Sequence, residues 1–218
     1  MIWAIRYIIP FFIVFLPAKK MLNMNARIRE SILESIDVKQ HILSNEALMA
    51  RVQAAADVMV ESLRAGGKVH FCGNGGSAAD AQHLAAELSG RFYYDRPPLN
   101  AEALHCNTSY LTAVGNDYGY EFIFSRLLAG TGHAGDVLVG ISTSGNSQNI
   151  VKAFEKAREM GIQTIALTGR GGGKMKELAD LCLNVPSTDT PRIQEAHIMV
   201  GHILCELVET TLFGHLKK

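Results

Sequence analysis

The sequence predicts an α/β fold, with a parallel sheet flanked by helices, and three observations lead to this prediction. Short apolar runs that suit buried strands alternate with stretches of helical periodicity from residue 69 towards the C-terminus. Loops rich in glycine or hydroxyl groups follow three of these runs, where the carboxyl ends of parallel strands would lie. The 218 residues, 48% of them apolar, are enough for one well-buried domain.

Two helices are expected before the sheet. Apolar residues recur at helical spacing from residue 28 to 42, and again from 48 to 63 after a break at Ser44-Asn45. The pair Gly66-Gly67 then ends the second helix, since glycine is the usual residue just beyond a helix C-terminus. These helices form an N-terminal arm that leads into the domain.

The alternating part contains five predicted strands and the helices between them. The strands are predicted at 69–72, 101–106, 136–141, 163–168 and 181–185. Helices are predicted at 77–90, in a broken stretch from about 109 to 128, at 148–160, from the glycine-rich turn to 179, and at 191–213. Pro191 suits the first turn of the last helix, and Asp189 or Thr190 can cap it.

Composition limits the possible partners. Lys plus Arg and Asp plus Glu number 21 each, so no net positive field attracts nucleic acid. The four cysteines are too far apart in sequence for a zinc knuckle or a thioredoxin-type pair. We therefore expect them to be buried, reduced thiols of a cytoplasmic protein.

The first twenty residues, "MIWAIRYIIPFFIVFLPAKK", differ from the rest because they are apolar apart from Arg6 until Lys19. The run is shorter than the ~20 residues that span a bilayer. Three interpretations are open: a signal peptide that lacks the usual cleavage site, a membrane anchor, or upstream sequence included by a mistaken start, with Met21 or Met24 as the true one. We favour the last, because a typical soluble opening begins at Met24. Residues 1–23 are then an extension to a single domain at 24–218, with no membrane contact.

The turn after the first strand matches a dinucleotide fingerprint, since Gly73, Gly75 and Ala78 satisfy G-x-G-x-x-A. A dinucleotide site also needs a carboxylate at the end of the second strand, about 20 residues further on. Asp95 has that separation but precedes the strand, and the strand ends without a carboxylate. We therefore predict no dinucleotide site here.

The loop after the third strand, "STSGNS", suits a single phosphate instead. Its hydroxyl residues are Ser142, Thr143, Ser144 and Ser147. Hydroxyls and free backbone N–H groups at a helix N-terminus bind a phosphate dianion with help from the helix dipole. Capping of the helix is the simpler explanation, but capping requires only one hydroxyl.

His83 and Glu87 are four residues apart, so they share one face of the helix that leaves the glycine turn. Such a pair alone is more often a surface contact or a satisfied core group than a site. The position of their helix, next to the expected ligand loop, favours a functional role.

The last helix carries further candidates. At about 100° per residue, Gln194 and His202 are about 80° apart around the helix, and Glu195 and His202 only about 20°. Spacing therefore does not decide which of the two accompanies His202. His197 lies in the same largely apolar helix, and a hydrogen-bonded core histidine is the default interpretation for a histidine there.

Five motifs together resemble a known family: "CGNGGSAADAQH", "GNDYGYEFIFSR", "GDVLVGISTSGNSQNI", "ALTGRGGG" and "RIQEAHIMVGH". They are similar to the sugar-isomerase (SIS) domain of the phosphoheptose isomerase kind, over about residues 25 to 213. The resemblance implies a five-stranded parallel flavodoxin-like sheet with N-terminal helices, assembled as a cytoplasmic homotetramer. It also implies interconversion of sedoheptulose 7-phosphate and D-glycero-D-manno-heptose 7-phosphate, for the heptose of the lipopolysaccharide core.

The resemblance assigns roles to residues that match the motifs. The phosphate loop is Ser142, Thr143, Ser144 and Ser147. The other implied substrate contacts are Asn74, Gly75, Gly76, Ser77, Glu87, Asn116, Asp117 and Gln194. Glu87 and His202 are the implied acid–base pair. The implied zinc ligands are His83, Glu87, Gln194 and His202, and His197 keeps a structural role.

The implied reaction moves a carbonyl between C1 and C2 through an enediol, which needs a base, an acid and stabilisation of an oxyanion. Glu87 and His202 suit the first two needs, and zinc suits the third. Glu87 cannot easily be a tight zinc ligand and a free base together. An alternative is a non-catalytic tetramer that binds the bacterial replication initiator. A sugar-phosphate sensor, or an isomerase or hydro-lyase for another phosphosugar, is also open.

Overall fold

A computed structural model describes residues 18–216, with side chains from residue 24 onward. Contacts divide the chain into two compact units, Met1–Glu34 and Ser35–Lys218. In the first unit, the exposed Arg27 donates to Glu30 at 2.8 Å and to Glu34 at 3.2 Å. The second unit holds the sheet and every predicted site residue. The prediction about residues 1–23 lies largely outside the described residues.

The elements follow one another in the predicted order. Within the described residues the α-helices are α1 (Ala18–Leu43), α2 (Glu46–Arg64), α3 (Gly76–Ser89), α4 (Thr108–Asp117), α5 (Ile123–Thr131), α6 (Gln148–Glu159), α7 (Met175–Leu178) and α8 (Thr190–Phe213). The strands are β1 (Val69–Gly73), β2 (Ala101–Ala103), β3 (Val137–Ser142), β4 (Gln163–Thr168) and β5 (Leu181–Asn184). Two short 3₁₀ helices, Tyr120–Phe122 and Gly214–Leu216, complete the structure.

The five strands form one parallel sheet in the order β2-β1-β3-β4-β5. Gly73 at the end of β1 pairs with Ile141, and Ser142 at the end of β3 pairs with Thr168. The carboxyl ends of β1, β3 and β4 are therefore level, so the loops that follow them share one edge of the sheet. The predicted α/β fold with a parallel sheet is confirmed.

Helices cover both faces of the sheet because alternate residues of the strands point to opposite sides. Phe71 and Val139 face α2, α3 and α8, together with part of α1. Cys72 and Leu138 face the other layer, which contains α4, α5, α6 and α7. All residues of β1 and β3 are buried, which explains their continuous apolar runs.

The two predicted N-terminal helices are confirmed. Asn45 caps α2, since its side-chain oxygen accepts from the backbone N–H of Leu48 at 3.0 Å. Asp189 stands at the N-cap of α8, as predicted. Within the described residues, however, its side chain accepts no capping hydrogen bond.

Some other predicted details were wrong. The second strand stops at Ala103, not at residue 106, because the chain turns there: the N–H of Cys106 donates to the carbonyl of Ala103 at 3.3 Å. The helix predicted between the glycine-rich turn and residue 179 is confirmed, as the single turn Met175–Leu178. All four cysteines are free, but Cys106 is exposed instead of buried, because the shortened strand leaves it in the loop.

Helix α8 is apolar and long enough to cross a membrane when judged by length and composition alone. It instead packs against α2 and α3, and its His197 and Glu209 are completely buried. These contacts identify α8 as a core helix of the sheet domain. A buried core helix can be as long and as apolar as a helix that spans a membrane.

Candidate active site

The glycines after β1 are explained by the geometry of a tight turn. Gly75 has φ 55°, a conformation that glycine adopts readily. A Cβ on Gly73 would lie 2.3 Å from the carbonyl oxygen of Ser77, and a Cβ on Gly76 would lie 2.6 Å from Nε2 of Gln194. The fingerprint-like spacing therefore serves a turn and the close approach of α8.

The loop after β3 gathers three hydroxyls. The Oγ atom of Ser142 lies 3.0 Å from that of Ser147 and 3.5 Å from that of Ser144. Ser147 stands at the N-cap of α6, yet its side chain makes no capping hydrogen bond. The capping explanation therefore does not account for this hydroxyl, and the group is available to an anion at the N-terminus of α6.

We call residues 142–147 the hydroxyl loop. The loop after β4 is held against it by close backbone contacts. The backbone N–H of Gly169 donates to the carbonyl of Thr143 at 3.1 Å. Gly145 has φ 66°, and a Cβ there would lie 2.0 Å from the carbonyl oxygen of Gly172. Contacts this close hold the hydroxyl loop in one conformation.

His83 and Glu87 on α3 meet His202 on α8. Nε2 of His83 lies 2.9 Å from Oε1 of Glu87 and 3.4 Å from Nε2 of His202. One ligand atom from each of the three residues lies within 4.8 Å of those from the other two. Two imidazole nitrogens and a carboxylate oxygen are the ligand types that zinc prefers, so this group fits a metal ion. We call these residues the α3–α8 cluster.

Gln194 and Glu195 occupy different environments. The Gln194 side chain packs against Gly76, at the start of the helix that carries His83. Glu195 forms an ion pair with Arg192 at 2.7 Å. Glu195 therefore has a partner on its own helix, whereas Gln194 lies against the glycine turn. Its roles as a metal ligand and substrate contact stay predictions.

The remaining predicted substrate residues lie in two places. Asn74 is held by hydrogen bonds to Asn149 and Tyr120, and Ser77 is buried at the start of α3. Asn116 donates to Asp117 at 2.8 Å, and both are exposed at the end of α4. Among the described residues, no hydrogen bond joins Asn116 or Asp117 to the hydroxyl loop or to the α3–α8 cluster.

A buried ion pair that the sequence did not indicate holds α3 and α8 together. Arg96 Nε donates to Oε1 of Glu209 at 2.8 Å, and both side chains are almost completely buried. The same guanidinium donates to the carbonyls of Glu87 and Leu88 at 2.9 Å each, at the end of α3. Arg96 therefore links the helix that carries Glu87 to the helix that carries His202.

Glu209 is also bonded to the backbone of the loop between α3 and β2. Its carboxylate accepts from the N–H groups of Phe92, Tyr93 and Tyr94 at 3.0, 2.6 and 3.2 Å. Burial alone would raise the pKa of Glu209, but these hydrogen bonds and Arg96 outweigh it and lower the pKa. We call Arg96 and Glu209 the buried clamp.

Two further titratable groups lie on the same helices. His197 is completely buried, and among the described residues neither ring nitrogen has a hydrogen-bond partner of normal geometry, although the Thr168 backbone approaches the ring. Burial lowers the pKa of His197 to about 4. The expected core position is confirmed, but the expected hydrogen bond is absent. Asp80 lies one turn before His83, its Oδ2 has no hydrogen-bond partner in the part of the chain that the structure describes, and burial raises its pKa.

Known proteins give an independent comparison. The chain matches the SIS domain family over residues 34–169. The phosphoheptose isomerase of Akkermansia muciniphila is 56% identical over 191 residues, which are 88% of this chain and 100% of that protein. The phosphoheptose isomerase of Rhodospirillum rubrum is 65% identical over 161 residues, which are 74% of this chain and 86% of that protein.

A solved structure agrees with these relatives. The phosphoheptose isomerase of Neisseria gonorrhoeae superimposes with a TM-score of 0.81 at 46% identity, and the match covers 86% of this chain and 99% of that one. Such identity over nearly whole chains goes well beyond a shared fold. The chain therefore belongs to the SIS domain family and, within it, to the phosphoheptose isomerases.

Proposed function

We propose that the protein is an aldose–ketose isomerase that converts sedoheptulose 7-phosphate to D-glycero-D-manno-heptose 7-phosphate. The observation that carries this proposal is the meeting of His83 and Glu87 with His202 in a chain that also presents a hydroxyl loop. Relatives named phosphoheptose isomerase, at 56% and 65% identity, support the choice of substrate. Supply of lipopolysaccharide core heptose is the role we infer for the product.

The reaction needs proton transfers that the α3–α8 cluster can perform. A proton leaves C1 of the ketose, an enediol forms, and a proton is returned to C2. We assign the carbon-bound proton to Glu87 and the proton that moves between O1 and O2 to His202. The contact between the His83 and His202 nitrogens, at 3.4 Å, keeps the second imidazole in a fixed position.

The phosphate is assigned to the hydroxyl loop. The hydroxyls of Ser142, Ser144 and Ser147 converge, and within the described residues the backbone N–H groups of Gln148 and Asn149, at the start of α6, donate to no protein acceptor. In a seven-carbon sugar the phosphate on C7 is far from the reacting C1 and C2. A phosphate loop that is separate from the proton-transfer residues suits that substrate.

A zinc ion is the cofactor we propose. His83, Glu87 and His202, whose ligand atoms lie within 4.8 Å of one another, would hold it, and the family resemblance adds Gln194 as the fourth candidate ligand. When bound, zinc would polarise a substrate oxygen and stabilise the developing oxyanion. Because Glu87 cannot easily be a tight zinc ligand and a free base together, His202 or a water molecule would take part of the proton transfer when zinc is bound.

We propose that the protein is a cytoplasmic homotetramer. Apolar side chains are exposed along α1, and a groove of about 420 Å³ opens between α1, α2 and α8. The exposed residues of α1 are Met24, Ile28, Ile32, Leu33, Ile36 and Leu43. Exposed apolar surfaces of this kind are covered when identical subunits associate. Four free cysteines agree with a reducing compartment.

The alternative, a non-catalytic tetramer that binds the replication initiator, is not favoured. A scaffold has no need of two histidines and a glutamate with their ligand atoms within 4.8 Å of one another. We propose no role in nucleic-acid or membrane binding, since the chain has equal numbers of basic and acidic residues and its apolar helix α8 is a core helix.

The proposal is tested by incubating the purified full chain with sedoheptulose 7-phosphate and following the aldose by NMR. We expect turnover that is lost after chelation and restored by zinc in preference to magnesium. An inactive wild type, with or without zinc, would overturn the isomerase proposal. Undiminished activity in the metal-free protein would overturn the zinc proposal alone.

A further inference from the structure

Asn149 is a buried polar residue that the proposed mechanism does not use. It is the second residue of α6, directly after the hydroxyl loop, and it is only 4% exposed. Its side chain reaches across to the turn after β1 and forms two hydrogen bonds with Asn74. Asn149 Nδ2 donates to Asn74 Oδ1 at 2.8 Å, and Asn74 Nδ2 donates to Asn149 Oδ1 at 2.9 Å.

The orientation of both amides is fixed by a third group. The backbone N–H of Ile150 donates to the Asn149 side chain at 3.0 Å, and a backbone N–H can only donate. The atom that it meets must therefore be Oδ1 of Asn149, which turns Nδ2 towards Asn74. The amide of Asn74 must then present its oxygen to Nδ2, since two donors do not bond to each other.

Tyr120 strengthens the same orientation. Its hydroxyl donates to Oδ1 of Asn74 at 3.1 Å, so this oxygen accepts two hydrogen bonds. The oxygen is thereby saturated, because a carbonyl oxygen has two lone pairs. One of the two N–H groups on Nδ2 donates to Asn149, and within the described part of the chain the other has no acceptor.

We infer that Asn149 is a positioning residue that fixes the Asn74 amide so that it offers an N–H donor to an oxygen of the bound sugar phosphate. The inference rests on the proposed function, since it assigns a role within that site. Asn149 also lies in the first turn of α6, the helix that follows the proposed phosphate loop. The amide pair therefore ties the sugar-facing turn to the hydroxyl loop.

The donor assignment makes a sharp prediction for Asn74. Asn74→Asp keeps the size of the side chain and an acceptor oxygen but removes both N–H groups. We expect it to lower kcat/KM on sedoheptulose 7-phosphate by at least as much as Asn74→Ala, about tenfold or more. Near-native activity of Asn74→Asp beside an impaired Asn74→Ala would show that Asn74 acts as an acceptor and would overturn the inference.

The positioning role is tested by a double-mutant cycle. Asn149→Ala should lower kcat/KM about tenfold in the wild type and less than about twofold in the Asn74→Ala background. Losses that multiply would overturn the inference. If Asn149→Ala fails to fold, Asn149→Asp serves instead, because it has the same shape but cannot donate to Asn74. Inhibition by inorganic phosphate should be unchanged, which separates positioning from damage to the hydroxyl loop.

Thr164→Val is the matched control. Thr164 is 1% exposed and its hydroxyl donates to Asp180 at 2.8 Å, at the opposite edge of the sheet. It should lower the melting temperature as Asn149→Ala does, with kcat/KM within about twofold of wild type. If the wild type binds sedoheptulose 7-phosphate without turnover, the proposed function fails. The double-mutant cycle is then measured with dissociation constants for sedoheptulose 7-phosphate in place of kcat/KM. A loss of affinity on Asn149→Ala that disappears in the Asn74→Ala background supports the inference, and losses that multiply overturn it.

Discussion

The hydroxyl loop and the α3–α8 cluster are built in opposite ways. The hydroxyl loop comes from six consecutive residues, and its hydroxyls are brought together by one turn before α6. The α3–α8 cluster joins His83 to His202, which are 119 residues apart in sequence. The first needs only local backbone geometry, whereas the second needs two helices to be packed in one register on the sheet.

This difference explains where the buried clamp stands. Arg96 bonds the end of α3 and Glu209 belongs to α8, so the pair fixes the two helices that carry the cluster. Nothing comparable is needed for the hydroxyl loop, where Gly145 and Thr143 contact the neighbouring loop after β4. Disturbing the clamp should therefore affect the cluster first.

The largest expected effect comes from breaking the clamp. Arg96→Leu leaves the Glu209 carboxylate buried without its partner, which should lower the free energy of unfolding by about 3–5 kcal/mol. Urea denaturation measures this change. The exposed pair of Lys156 and Glu159 on α6 provides the control, since Lys156→Gln should leave the unfolding midpoint unchanged. Equal midpoints for Arg96→Leu and wild type would show that the clamp does not hold the helices.

A second prediction concerns the pH dependence of the packing of α8. Burial lowers the pKa of His197 to about 4 from an ordinary value of 6.5, so the unfolded chain binds a proton more readily than the folded one. The free energy of unfolding should be highest above pH 6.5 and fall by about 2 kcal/mol between pH 6.5 and 5. His197→Leu should flatten this slope. Identical slopes in the two proteins would contradict the prediction.

The sequence was sufficient for most of the fold because its strands are continuous buried apolar runs. β3 and β4 were predicted within one residue, and their level carboxyl ends brought the predicted loops to one edge. The second strand was predicted three residues too long, since Leu104 is apolar and buried like a strand residue although the chain has already turned. Turns of this kind leave little signal in the apolar pattern.

The candidate site was predictable only where it is local. Spacing along α8 did not decide between Gln194 and Glu195, because it does not show which partner each side chain has. In the structure Glu195 is paired with Arg192, and Gln194 lies against Gly76. The clamp was missed because Arg96 lies in an irregular loop before two prolines, where a charged residue is normally solvated. Asn149 was missed because an asparagine in the first turn of a helix is ordinary.

The choice between Gln194 and Glu195 sharpens the description of the cluster. Gln194→Ala should lower kcat/KM about tenfold, because its amide lies against the glycine turn at the start of α3. Glu195→Ala should stay within about twofold of wild type, because its carboxylate is paired with Arg192. Steady-state kinetics on both variants distinguishes the two. The opposite order of losses would place Glu195 in the site.

The smallest expected effect belongs to a single hydroxyl of the loop. Ser144→Ala removes one of three converging hydroxyls and should raise KM about fivefold, with kcat within about twofold of wild type. Thr131→Ala, which removes an exposed hydroxyl at the end of α5, is the control and should change neither constant. A fall in kcat at constant KM would contradict the assignment of this loop to ground-state phosphate binding.

The most direct test of the central claim, that α3 and α8 form one reaction centre, is a double-mutant cycle of Glu87→Gln and His202→Gln. Each substitution alone should lower kcat/KM on sedoheptulose 7-phosphate by about 10²-fold or more. When two residues act as a unit, removing either one already abolishes their joint contribution to catalysis. The double variant should therefore be little less active than the poorer single variant. Near-native single variants, or losses that multiply to about 10⁴-fold, would contradict the claim.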